Sequence, residues 1–154
     1  MTNSNYSAGE ALILTAIQAT TSFSTTNTSR ANWKILNSGK SRQYVILRAG
    51  PFERSQLGLG AKYQTKWITY AEVWIRYIDD STTQIALYEK RQEVIDKFDA
   101  ERKAGDATGK IRDVFVRSSG EPEEMWNKGG NGPAFLRQEL TIEWEEESET
   151  TLTD

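Results

Sequence analysis

The chain contains no cysteine and no histidine. Without cysteine there are no disulfides and no thiolate chemistry, which fits a reducing compartment. Without histidine as well, the commonest ligands for transition metals are missing, together with the usual general base near neutral pH. A hydrolase could still use paired carboxylates. No run of about 18 apolar residues occurs, so no transmembrane helix is expected. Residues 1–10 lack a basic region ahead of an apolar segment and do not read as a secretory signal.

What the chain does have is aromatic content. Five Trp, six Tyr and 37% hydrophobic residues in 154 indicate a globular chain with one core, large enough to bury about two-thirds of its unfolded surface. The net charge of -3 conceals an uneven distribution. Residues 30–66 hold eight Lys or Arg and one acid, Glu53, whereas residues 139–154 hold seven acids and no base. Either run alone reads as a solvated face. Together they suit a protein that associates with copies of itself through complementary patches.

Residues 63–98 organise the chain. Trp67, Thr69, Ala71, Val73 and Ile75 alternate with Ile68, Tyr70, Glu72, Trp74 and Arg76, so both faces of this strand are largely apolar. Asp79 and Asp80 end it, and Ser81 with Gln84 reads as a capping box opening a helix. In that helix Ile85, Tyr88, Ile95 and Phe98 mark the expected buried face, flanked by Leu87 and Val94, and Gly105 is its expected stop.

An earlier helix is expected over residues 9–19, with Leu12, Ile13, Ala16 and Ile17 as its apolar stripe and Ser7 capping it with Glu10. Residues 20–32 read as an irregular Ser/Thr/Asn connector, and Trp33, Ile35 and Leu36 as a turn or short strand. Residues 43–49 form a strand ended by Gly50 and Pro51. The connection to the next strand makes a long projecting hairpin. Residues 110–118 are a further strand and residues 119–133 a polar loop carrying Trp126. In the last strand Leu136, Leu140, Ile142 and Trp144 alternate with Arg137, Glu139, Thr141, Glu143 and Glu145. The expected domain is residues 1–146, followed by an acidic tail, residues 147–154. Its expected fold is α+β: a four-stranded antiparallel or mixed sheet with two helices on one face, in the order helix, strand, strand, helix, strand, strand.

Site motifs are weak. Gly39, Lys40 and Ser41 resemble the end of a phosphate-binding loop, but Lys34 stands where its first glycine belongs and a strand follows instead of a helix. Asp79 with Asp80 and Glu123 with Glu124 are adjacent acids that rarely converge on one cation. No catalytic, cofactor or metal residue is expected. Basic and aromatic residues interleave from Arg42 to Trp67 as in single-strand binders, yet the chain is acidic overall. Trp126 either packs on its own domain or anchors a neighbour.

The whole pattern resembles the tail terminator, or tail-completion, proteins of long-tailed bacteriophages (the minor tail protein U-like family). The residues that carry it are the N-terminal helix, "SRQYVILRAGPF", "KYQTKWITYAEVWIRYIDD", "TTQIALYEKRQEVIDKF", "GKIRDVFVRSSGEPEEMW" and "GPAFLRQELTIEWEEE". The resemblance implies a non-enzymatic homo-oligomeric ring, usually a hexamer, that caps the tail tube and joins the head at the virion neck, having assembled in the host cytoplasm. Its implied partners are copies of itself, the tail tube protein, a head-completion or connector protein, and genomic DNA passing without sequence recognition; no membrane is involved. Phe52, Arg54, Leu57, Leu59, Lys62 and Trp126 are then candidate interface residues, and Glu139, Glu143 and Glu145 a candidate acidic face toward the channel or a partner. The alternatives are another head-tail connector or tail-tube protein, or a small single-stranded nucleic-acid-binding domain.

Overall fold

The structure is a computed structural model, and it describes residues 5–58, 62–104, 106, 111–126, 130 and 132–149. In chain order the elements are helix α1 (Asn5–Gln18), strand β1 (Thr28–Arg30), a 3-10 helix (Trp33–Asn37), β2 (Gln43–Gln56), β3 (Lys62–Arg76), helix α2 (Asp80–Ala100), β4 (Ile111–Ser119), β5 (Glu123–Trp126) and β6 (Pro133–Glu149). The strands form one six-stranded sheet, β1-β2-β3-β6-β4, with β5 also pairing to β6. This corrects the four-stranded expectation. The sheet is mixed, because β1 runs parallel to β2 while every other pairing is antiparallel.

Both additional strands lie where polar composition hid them. Thr28–Arg30 sits inside the Ser/Thr/Asn connector and is ordered by its neighbour: the Val45 amide donates to the Asn27 carbonyl and the Ala31 amide to Leu47. Asn27 is itself buried, its side chain bonded to the Ser24 amide and the Ser22 carbonyl. Glu123–Trp126 pairs with residues 133–137 of β6 within the supposed loop. β6 also runs to Glu149, past the position where the acidic tail was expected to begin.

Helix ends differ from expectation too. α1 begins at Asn5, which puts Ser7 inside its first turn, and Glu10 binds Arg30 instead of closing a capping box. At α2 the N-cap is Asp79, whose carboxylate accepts from the Thr82 amide at 2.7 Å; Ser81 lies within the helix. Gly105, Lys110 and Leu59 fall outside the described residues.

The main core lies between the sheet and both helices. Ile13, Ala16 and Ile17 of α1 and Leu87, Val94 and Phe98 of α2 cover Val45, Leu47, Ala71, Val73, Leu140, Ile142 and Trp144. The buried stripe of α2 is therefore shifted from the expected one: Phe98 and the flanking Leu87 and Val94 are buried, whereas Ile85 and Tyr88 are 54% and 46% exposed. α2 carries two apolar stripes, and periodicity alone does not say which one meets the sheet. A smaller cluster of Leu36, Tyr44, Ile46, Trp74 and Phe135 occupies the opposite sheet face, under the 3-10 helix.

The tightest contact in the main core is between Gly9 of α1 and the Trp144 indole. A Cβ at position 9 would stand 2.1 Å from a Trp144 ring carbon, and Trp144 is fully buried with its Nε1 bonded to Thr69. Gly9→Ala gains about 1 kcal/mol of helix propensity, but the ring has nowhere to move, and overpacking costs about 1–3 kcal/mol or more. The substitution is expected to destabilise the protein, measured as a lower midpoint in denaturant titration; an unchanged or higher midpoint would show that α1 can lift off Trp144 without cost.

Candidate functional site

The helix-free sheet face is built around one buried carboxylate. β3 places Glu72, 3% exposed, between Glu139 of β6 in register on one side and Ile46 of β2 on the other. Its Oε1 accepts from Trp33 Nε1 at 2.8 Å and Trp74 Nε1 at 3.1 Å. Its Oε2 meets Arg48 Nε and an Arg137 terminal nitrogen, each at 3.1 Å. The same two arginines reach Glu139, at 2.5 Å from Arg48 and 3.1 Å from Arg137, and Arg137 also faces Glu123 at 3.5 Å. Arg48 lies over the Tyr70 ring at 4.2 Å. Burial acts to raise the Glu72 pKa, but hydrogen bonds from Arg137, Trp33 and Trp74 and the Arg137 charge outweigh it, and the group ends below the ordinary carboxylate range.

Such a carboxylate is a poor base and a poor proton donor. Every one of its lone-pair directions meets a donor, and its two cations are shared with Glu139. No buried side-chain nitrogen or oxygen lacks a partner among the described residues. Nor do three acidic side chains converge there as a cation would require. The arrangement ties β2, β3, β5, β6 and the 3-10 helix together, and holding strands in register is the chemistry it is equipped for.

The two oppositely charged runs of the sequence meet inside this one chain. Arg48 pairs with Glu139, Lys66 approaches Glu145 at 4.0 Å, and Glu53, Lys66 and Glu145 lie side by side across three strands. Arg117 of β4 approaches Glu143 at 3.7 Å, and Arg112 pairs with Glu147. The acidic face of Glu139, Glu143 and Glu145 is thus matched by the chain's own cations. The charge asymmetry of the sequence does not by itself call for a partner.

The remaining candidates fall at the two ends of the sheet. Phe52, Arg54, Leu57 and Lys62 share the β2-β3 arm, where residues 51–56 are all exposed. Phe52 is 60% exposed and stacks on Trp67 at 5.0 Å, which continues to Trp144 at 5.9 Å. Arg54 covers the Tyr63 ring at 3.9 Å. Trp126, 59% exposed, lies opposite Pro133 at the far end of β6, a 17-residue strand spanning roughly 50 Å. It does not join the arm residues. At the phosphate-loop mimic, Gly39 has φ +68° with open space around it, and Ser41 leads into β2.

Sequence reasoning missed the Glu72 cluster. Its signal was an acid on a strand whose two faces are otherwise apolar, since such an acid is buried only with a cation beside it. No protein-family model matches the chain, and a search of curated proteins returns no significant match.

Glu72→Gln leaves Arg48 and Arg137 short of a counter-charge and is expected to cost about 3 kcal/mol of stability, the low end for breaking a buried ion pair, because Glu139 remains. The folded-state pKa of Glu72 is depressed, so its contribution is complete above the unfolded value and is lost as pH falls. Wild type should lose stability below about pH 4.3, and Glu72→Gln should lose less over the same range. Chemical denaturation at stepped pH measures both; parallel curves for the two proteins would remove Glu72 from the account.

Proposed function

We propose that this chain is a structural subunit of a long-tailed bacteriophage, without enzymatic activity, forming the terminator ring that caps the tail tube and presents the joining surface to the head. The observation that carries this reading is the placement of exposed aromatics at both ends of a long sheet, Phe52 on the arm and Trp126 opposite Pro133. Unlike patches at opposite ends favour heterologous contacts, and such contacts between identical copies make rings where the rotation from copy to copy closes and filaments where it does not. Trp and other aromatics in these positions are the usual anchors of protein interfaces. The polar groups of the helix-free sheet face support a scaffold role, because they bind one another across β2, β3 and β6.

The single-strand reading keeps part of its support. Arg48 is held by Glu72 and Glu139, Arg30 by Glu10, and Lys66 lies beside Glu145, whereas Lys34, Lys40, Arg42, Arg54 and Lys62 are exposed and form no ion pair among the described residues. The acidity of the chain as a whole weighs against that reading.

Electron microscopy of the purified full chain is the direct test. Rings with a central channel are expected, and adding them to growing tail tubes should stop extension. A protein that stays monomeric at micromolar concentration and leaves tube length unchanged would overturn the proposal.

A further inference from the structure

The second apolar stripe of α2 lies outside the apolar core among the described residues. Ile85 and Tyr88 are exposed on it, Arg91 lies over the Tyr88 ring at 4.6 Å, and Tyr88 opens onto a depression of about 580 Å³ lined also by Glu89, Arg91, Gln92, Glu93 and Asp96. Glu93 is taken up by the Ser22 amide and Asp96 by the Gln92 side chain, whereas Glu89 is exposed and has no ion-pair partner among the described residues. The surface combines two exposed apolar side chains with a polar rim in which Glu89, Glu93 and Asp96 outnumber the one cation, Arg91.

The arm presents the opposite character. Register places Phe52, Arg54, Tyr63, Thr65 and Trp67 on the side of the sheet that the helices cover; Tyr6 of α1 packs on Trp67 and Thr65 is buried, while Phe52 and Arg54 are exposed. The acid on that side among the described residues, Glu146, is buried and accepts from Trp67 Nε1. Arg54 is exposed, lies on Tyr63, and forms no ion pair among the described residues. This surface is aromatic, with a cation at its centre.

The arm does not reach the stripe within one chain. β3 rises over 15 residues from the arm to the start of α2, roughly 50 Å, and Tyr88 lies only about 12 Å along α2 from that far end. We propose that the β2-β3 arm of one copy seats on the outer stripe of α2 of the next, with Phe52 against Ile85 and Tyr88 and Arg54 against Glu89. This rests on the ring reading above and names the contact that repeats around it. The apolar surfaces supply affinity, and the Arg54 and Glu89 pair sets register.

The absence of cysteine makes the test clean. Arg54→Cys and Glu89→Cys are introduced singly and together into the full chain and treated with a short bis-maleimide. Both positions are exposed, so circular dichroism should match wild type. The double variant should give a ladder of oligomers, an equal mixture of the two single variants a dimer and nothing larger, and each single variant alone no product. In parallel, Arg54→Glu and Glu89→Arg should each weaken association at least tenfold in sedimentation, and the two combined should restore it. Wild-type rings without these crosslinks, and with association unchanged by either charge reversal, would overturn the contact and leave the ring standing. Arg54→Cys linking to itself would also overturn the contact. A wild-type chain that remains monomeric would overturn contact and ring together.

Discussion

The carboxylate of Glu72 is buried at the centre of the helix-free sheet face, and the layout of that face follows from satisfying it. A buried carboxylate without partners would cost several kcal/mol. Here it collects two indole donors and two guanidiniums, from the 3-10 helix, β2, β3 and β6. Those groups sit where they do only if the strands keep one register. Slipping β2 by a single residue would turn Arg48 to the other face and leave Glu72 unmatched. The hydrophobic clusters on either side would tolerate several arrangements, whereas the polar cluster accepts one.

The same pairing changes what the charge distribution means. A basic segment and an acidic segment far apart in sequence suggest two patches waiting for partners. In the folded chain β3 pairs with β6 along their whole length, with Lys62 opposite Glu149 and Lys66 opposite Glu145. The acidic strand is largely spent on the chain's own sheet. What is left for other molecules combines exposed apolar groups, Phe52 on the arm, Trp126 at the opposite end, and Ile85 and Tyr88 on α2, with exposed cations such as Arg42, Arg54 and Lys62 that form no ion pair among the described residues.

The long strands and both helices were legible because their patterns are strong. Residues 136–144 alternate with one interruption, the buried Gln138, and α1 shows its Ile13, Ala16 and Ile17 stripe directly. β1 and β5 were not legible, since Thr28–Arg30 and Glu123–Trp126 take their order from a partner strand and not from their own composition. α2 was found with its buried face centred too far toward Ile85 and Tyr88, because these are apolar like the flanking Leu87 and Val94 that bury together with Phe98. Candidate interface residues Phe52 and Arg54 could be picked from sequence as part of an exposed hairpin. That Trp126 lies at the other end of β6, and that Glu139 is held by Arg48 and Arg137, depends on pairings that sequence spacing does not reveal.

The central claim is that the acidic strand is largely neutralised within its own chain and that copies associate through apolar ends. Sedimentation velocity of the full chain in about 0.1 M and about 1 M sodium chloride addresses it, since the screening length falls from roughly 10 Å to 3 Å between them. The account predicts an oligomer that persists in high salt. An oligomer that falls apart to monomer at about 1 M would contradict it, and would return the acidic and basic runs to the interface between copies.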